Sequence, residues 1–371
     1  MRTIAFHTLG CKVNQYDAQA MRELFLAAGY QEVAHGADVV LVNTCTVTAT
    51  GDRKSRQALR RAVRENPACA VIAAGCLAQR APEAVALPGV RLVIGTQYRN
   101  RVVELLHEAL ESGGVITAVD ALDNTPYEAL SVTAHEGRSR AVLKIQEGCD
   151  AHCAYCIIPS VRGSSRSRPL ADVAEEARKL AAAGYEEAVL TGIQLTGYGR
   201  DLGLDLLDAV RAVAEAGIPR VRLGSLEPPW LTIQRIEEMA AIPQLVRAFH
   251  LSLQSGCAQT VRRMGRSYDP QQLLGTLAHL FKTMPDAAMR ADVIVGFPGE
   301  TDEEHRLSMD MIGRAGFAGL HVFPYSVRQG TPAAAMPQVP EDIKNKRAAD
   351  MNALARELAR RAGSADDEEE A

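Results

Sequence analysis

The chain has 371 residues, with 41 Lys and Arg, 45 Asp and Glu and 47% apolar residues. That length predicts two or three domains with real cores, and the apolar fraction excludes disorder over most of the chain. A formal charge of −4 excludes a uniformly basic nucleic-acid binder, yet five negative charges crowd into residues 366–371, so the body through Ala365 carries a formal +1.

From the N-terminus, residues 4–9, 39–43, 70–74 and 92–94 read as short apolar strands, with helical periodicity over 18–28 and 55–63 between them. Strand–helix alternation predicts a parallel sheet covered by helices, with a binding edge at the carboxyl ends of its strands. Cys11, Cys45 and Cys76 follow the first three strands and are expected to meet at that edge. Residues 121–138 lack periodicity, contain Pro, Asn and Gly, and read as a linker. A second series places strands at 142–145, 188–191, 221–223, 249–253, 290–295 and 320–323, with helices such as 170–183 and 204–216 between them. Six parallel strands make an incomplete eight-stranded barrel, whose chemistry collects on the loops after the strands. The fold class is α/β: an N-terminal parallel-sheet domain (1–120), a partial (βα)6 barrel (139–330), then residues 331–371 with a helix at about 341–361 and an acidic tail.

No apolar run reaches the length of a membrane span, and residues 1–11 make a poor signal peptide. The expected compartment is the cytoplasm, where a cysteine pattern is more often metal-binding or catalytic than disulfide-forming. Cys149, Cys153 and Cys156 form a C-x3-C-x2-C motif directly after the first strand of the second series. Three thiolates in one tight loop can bind three irons of a cubane cluster and leave the fourth iron open; a structural zinc site is the alternative. Cys69 and Cys257 read as small buried side chains. The nine histidines form no closely spaced pair with carboxylates, so spacing predicts no histidine-based metal site.

Arg53, Lys54, Arg56, Arg60, Arg61 and Arg64 concentrate positive charge in one predicted helix, with Arg53, Arg56, Arg60 and Arg64 on a common face. The face suits RNA phosphates, the alternative being a solvated helix surface. Arg162, Arg166 and Arg168, close behind the cysteine loop, are a second RNA-binding candidate, or contacts for a cofactor carboxylate.

In its position the Cys149 motif resembles the radical S-adenosylmethionine enzymes. The resemblance narrows to the methylthiotransferase family through HTLGCKVNQYD (7–17), VNTC (42–45), AGC (74–76), CIIP (156–159), LTGIQ (190–194), LQSG (253–256), DVIVGFPGE (292–300), HVFPY (321–325) and GTP (330–332). Within it, LGCKVNQYD and DRKSRQ (52–57) look like the branch that acts on N6-threonylcarbamoyladenosine in tRNA. The branches acting on isopentenylated adenosine or on a ribosomal-protein aspartate are the alternatives, and a noncatalytic metal-containing RNA-binding scaffold is the alternative of another class.

The resemblance implies two [4Fe-4S] clusters, one on Cys149, Cys153 and Cys156 and one on Cys11, Cys45 and Cys76. It also implies S-adenosylmethionine as cofactor, a methylthio group inserted at carbon 2 of the adenine, a tRNA substrate, an electron donor such as flavodoxin or ferredoxin, and a sulfur donor. Tyr155 is expected to meet the cofactor's adenine, and Thr191, Gly192 and Gln194 its methionine end. Ser225 and Glu227 are expected at its ribose, with a polar loop cap as the alternative for both. Family members usually carry a small C-terminal RNA-gripping barrel (the TRAM domain), and the resemblance ends before it.

Overall fold

The computed structural model describes residues 2–123, 125–134 and 139–363, so the acidic tail and residues 124 and 135–138 of the expected linker lie outside the described residues. In the first part, β1 (Thr3–Thr8), β2 (Gln31–Glu32), β3 (Val39–Thr44), β4 (Ala70–Gly75), β5 (Val90–Ile94) and β6 (Ile116–Ala118) form one sheet in the order β2-β1-β3-β4-β5-β6. Every pairing in it is parallel. The central strands β3 and β4 are buried along their whole length, which their near-continuous apolar sequence allows because helices cover both faces.

Helix α1 (Lys12–Ala27) starts earlier than its periodicity suggests, immediately after Cys11. Helix α2 (Ala49–Glu65) likewise begins before the periodic stretch, because Thr48 caps it by accepting a hydrogen bond from the Gly51 amide (3.0 Å). Strands β2 and β6, only two and three residues long, have too little pattern to be read from sequence.

The second part contains β7 (Ala141–Lys144), β8 (Gln146–Glu147), β9 (Arg166–Ser167), β10 (Glu187–Thr191), β11 (Arg220–Leu223), β12 (Ser225–Leu226), β13 (Ala248–Gln254), β14 (Ala288–Val295) and β15 (Gly319–Pro324). The third of the six expected strands is interrupted at Gly224 into β11 and β12, so the wall consists of two parallel sheets, β11-β10-β7 and β12-β13-β14-β15. Small β8 and β9 pair antiparallel beside the cysteine loop.

Along β13 and β14 every second side chain is buried. Phe249, Leu251, Leu253, Met289, Ala291, Val293 and Val295 join the core under the surrounding helices, while the alternate residues face the hollow of the open barrel. The helix Glu341–Arg361 has the bounds its sequence suggests and packs on β15 and β14. The two parts meet through α1, whose Tyr16 and Ala20 pack with Leu130, Val132 and Val142.

Candidate active site

The first cysteine set is assembled by polar side chains that sew the three strand ends together. Asn14 donates through Nδ2 to the carbonyls of Leu9 (2.7 Å) and Thr44 (2.9 Å), and Asn43 donates to the Asn14 carbonyl (2.8 Å). Ser55 of α2 accepts from the Cys45 amide (3.0 Å) and donates to the Cys45 carbonyl (2.9 Å). Thr44 Oγ1 accepts from the amides of Leu77 (3.2 Å) and Ala78 (3.3 Å), which fixes the start of the short helix Cys76–Arg80. Gly75 holds φ 90°, and a Cβ there would lie 2.3 Å from Asn43 Oδ1, so only glycine lets Cys76 turn into place. Cys11 is exposed while Cys45 and Cys76 are buried, so the set has one open side.

The second set sits on the loop after β7 and β8. Gly148, at φ 73°, opens the loop, where a Cβ would collide with the Ser164 carbonyl oxygen at 1.8 Å. The amides of Ala151 and Ile158 each approach a thiol, Cys149 Sγ and Cys156 Sγ, at 3.4 Å. Arg266 Nη1 lies 3.7 Å from Cys153 Sγ and donates to Tyr155 Oη (3.3 Å). Its Nη2 donates to the Ser252 carbonyl (2.7 Å) and to the Glu227 carboxylate. Sequence reasoning missed Arg266. It stands 110 residues beyond the motif it serves, in a stretch with no recognisable spacing.

All eight cysteines are free thiols. Burial pushes Cys76 and Cys149 up to about 11 and Cys156 to about 12, and it raises Cys45 as well. Unligated, these thiols stay protonated, whereas a bound metal centre turns them into thiolates. A single zinc ion fits poorly. Zinc holds four sulfurs about 3.8 Å apart, as Zn–S bonds of about 2.3 Å require. Among the described residues the one trio of His, Cys, Asp or Glu donors within 4.8 Å of each other contains no cysteine. Two wider three-thiol sets fit cubane clusters with one iron free of protein.

A cavity of about 450 Å³ opens beside the second set, lined by Asp150, Cys153, Gln194, Glu227, Trp230 and Arg266. Thr196 Oγ1, Trp230 Nε1 and Arg266 Nε are buried there without a hydrogen-bond partner, as suits a wall built for a polar ligand. Of the cofactor candidates, Gln194 and Glu227 line this cavity, and Tyr155 is tied to it through Arg266. Thr191 is buried at the end of β10. Gly192 packs on Gln146, where a Cβ would come within 2.8 Å of Gln146 Cβ. Ser225 is exposed on β12, away from the cavity lining.

The two basic groups part company. Arg53, Lys54, Arg60 and Arg64 are exposed on α2 and Arg56 is half-buried, so that face is open to a polyanion. Arg162, Arg166 and Arg168, expected at RNA phosphates, are instead buried: Arg162 and Arg168 serve internal ion pairs and Arg166 is held by backbone carbonyls, so none of them is open to a polyanion. Arg168 pairs with Glu176 (2.7 Å) and donates to Tyr16 Oη (3.2 Å), while Arg166 donates to the carbonyls of Arg162 (2.8 Å) and Ser164 (3.0 Å).

Arg162 is 1% exposed and does the most varied work. Its Nε approaches Cys76 Sγ at 3.2 Å, its Nη2 donates to Asn14 Oδ1, and its Nη1 donates to Asp17 (2.9 Å) and Glu147 (3.1 Å). Lys144 Nζ completes the cluster with Asp17 (2.7 Å) and Glu147 (2.5 Å), and Arg99 pairs with Asp17, Glu128 (2.6 Å) and Glu147 (3.3 Å). Three cations thus meet three carboxylates. Burial opposes the charge on Asp17, but Arg99, Lys144 and Arg162 together hold its carboxyl below the ordinary value. One guanidinium from the barrel thereby touches both this buried cluster and a thiol of the other part.

Comparison with known proteins agrees with this layout. Residues 3–95 match a family described as "Uncharacterized protein family UPF0004", and residues 143–312 match the radical SAM superfamily. A Bacillus subtilis threonylcarbamoyladenosine tRNA methylthiotransferase is 44% identical over 97% of this chain and 82% of its own length. Its counterpart from Aquifex aeolicus is 36% identical over 93% of this chain and 85% of its own. Among solved structures, a radical S-adenosylmethionine methyltransferase from Kitasatospora setae superposes with a TM-score of 0.63 over 90% of this chain and 75% of its own, at 15% identity.

Proposed function

The chain belongs to the threonylcarbamoyladenosine tRNA methylthiotransferases, within the radical S-adenosylmethionine superfamily, and from that membership we infer how its residues share the work. It is a radical transferase that places a methylthio group at carbon 2 of N6-threonylcarbamoyladenosine in tRNA, with two [4Fe-4S] clusters and S-adenosylmethionine as cofactors. When bound, these groups supply a 5′-deoxyadenosyl radical for hydrogen abstraction and the sulfur that is methylated and transferred.

Cys149, Cys153 and Cys156 hold the cluster that binds the cofactor, and Cys11, Cys45 and Cys76 hold the other. Arg266 orients Glu227 and Tyr155 beside the Cys153 thiol, and Gln194 faces the same cavity. In this reading Glu227 accepts from ribose hydroxyls and Gln194 binds the methionine end, a reading supported by their place on the cavity wall. Arg162 fixes the position of Cys76 from the barrel side. Residues 1–120 and 139–330 work as two units joined across this contact. The exposed cations of α2, beside Cys45, meet the tRNA backbone.

The chain works in the cytoplasm, drawing electrons from a small carrier such as flavodoxin or ferredoxin and sulfur from a separate donor. Among the described residues no helix is long and apolar enough to cross a membrane. The observation that carries this reading is the pair of three-thiol sets, with Arg162, six residues after Cys156 of the second set, held against Cys76 of the first. Nucleoside mass spectrometry of tRNA from a strain lacking the gene tests it. The methylthiolated threonylcarbamoyladenosine should vanish and the unmethylthiolated nucleoside accumulate. Unchanged levels would contradict the substrate.

A further inference from the structure

Three adjacent barrel strands bring together a trio that the cluster chemistry does not use. His250 lies on β13, Asp292 on β14 and His321 on β15, and Asp292 and His321 are register partners across their ladder. Their neighbours along β13 and β14 are buried under the outer helices, so these side chains point into the hollow of the barrel. His250 Nε2 lies 2.9 Å and His321 Nδ1 3.4 Å from the same oxygen, Asp292 Oδ1. The imidazole rings are 5.0 Å apart and inclined at 38°, so the two do not stack flat against one another. The side chains remain 19%, 22% and 38% exposed for His250, Asp292 and His321, so the trio is reached from the hollow.

We propose that His250, Asp292 and His321 form a site for one divalent transition-metal ion, distinct from both cysteine sets. One nitrogen from each imidazole and one carboxylate oxygen lie within 4.8 Å of one another, the separation from which a small inward shift reaches metal–ligand bonds of about 2.0–2.2 Å. Two imidazoles and one carboxylate suit borderline ions such as Fe²⁺, Co²⁺, Ni²⁺ and Zn²⁺ over the hard, all-oxygen ions Mg²⁺ and Ca²⁺. Three ligands on one wall leave the remaining positions open toward the hollow. A doubly charged ion on one carboxylate and two neutral imidazoles gives the wall a net positive charge, so it would attract an anionic or carbonyl oxygen. Sequence spacing missed the trio because its members are 42 and 29 residues apart, and only strand pairing brings them together, Asp292 opposite His321 and His250 opposite Arg290, two residues before Asp292.

The test uses the reconstituted holoenzyme, whose cluster iron already occupies both cysteine sets. Anaerobic equilibrium dialysis against Co²⁺, with metal analysis, should give one Co²⁺ per chain and no loss of iron. Pulsed electron paramagnetic resonance of that wild-type sample should show two imidazole nitrogens on the cobalt. His250→Ala and His321→Ala should each weaken uptake at least about tenfold, with iron content and thermal midpoint unchanged. The site is refuted by no uptake, by uptake matched by loss of iron, by cobalt without nitrogen couplings, or by wild-type affinity in both histidine variants. The wild-type spectrum decides the matter even if a variant does not fold.

Discussion

Replacing Asp17 by Asn removes one charge from the centre of the buried ion cluster while keeping the shape of the side chain. Asp17 is 1% exposed and accepts from Lys144 Nζ at 2.7 Å, Arg162 Nη1 at 2.9 Å and Arg99. Asn keeps one acceptor oxygen but leaves three buried cations facing two carboxylates. Breaking a buried pair in this way costs about 3–5 kcal/mol, because the stranded charge has lost its partner but not its desolvation. Spread over lobes of this size, that corresponds to a fall of roughly 6–20 °C in the thermal midpoint. Scanning fluorimetry of the reconstituted protein measures it, with Asp286→Asn as a control that breaks the exposed Arg247–Asp286 pair (2.6 Å) and should leave the midpoint unchanged. A shift no larger than the control's would refute the view that the cluster holds the two parts together.

The same carboxylate predicts an acid dependence. Its folded pKa lies below the ordinary 3.8, so its contribution is complete above that value and is lost as the pH falls through the folded one. Acid-unfolding curves of wild type and Asp17→Asn should therefore converge at the acid end; a constant gap down to the lowest pH would count against the assignment. Gly75→Ala should halve reconstituted iron, from about eight to about four atoms per chain, because Cys76 can no longer turn into its set; full iron loading would show that the close approach is relieved elsewhere. Arg266→Gln should weaken S-adenosylmethionine binding to the holoenzyme about 10–100-fold by calorimetry, the value of charged hydrogen bonds to Glu227 and Tyr155. Arg60→Glu combined with Arg64→Glu should weaken tRNA binding and lower its salt slope by about two, and an unchanged slope would make α2 a solvated face.

The cysteines were legible from sequence because a parallel α/β sheet presents the carboxyl end of each strand at one edge, so Cys11, Cys45 and Cys76 had only one place to converge. The six strands of the second part were legible for the same reason, as apolar runs between helices. Charge was not legible in the same way. Arg162, Arg166 and Arg168 look like surface cations in a linear reading, but the carboxylates that bury Arg162 and Arg168 include Asp17, 145 residues from Arg162, and Glu176 on the next helix. Arg53 and Arg60 have no comparable partners, and their exposure matches their appearance in the chain. Arg266 and the His250–Asp292–His321 trio carry no local spacing at all. Their neighbourhoods are set by strand register and by a loop folding back over the cysteines.

The contact of Arg162 with Cys76 and Asp17 also bears on how the protein is made. Synthesis delivers Asp17 to the ribosome exit 127 residues before Lys144 and 145 before Arg162, so the emerging N-terminal sheet holds a carboxylate whose matching cations have not yet been translated. Until the loop after β8 arrives, Asn14 lacks its guanidinium donor and Cys76 its positively charged neighbour. The strand ends that carry Cys11, Cys45 and Cys76 are joined by Asn14, Asn43, Ser55 and Thr44 from within the N-terminal part, and the set gains its contact with Arg162 only when the barrel's first loop docks.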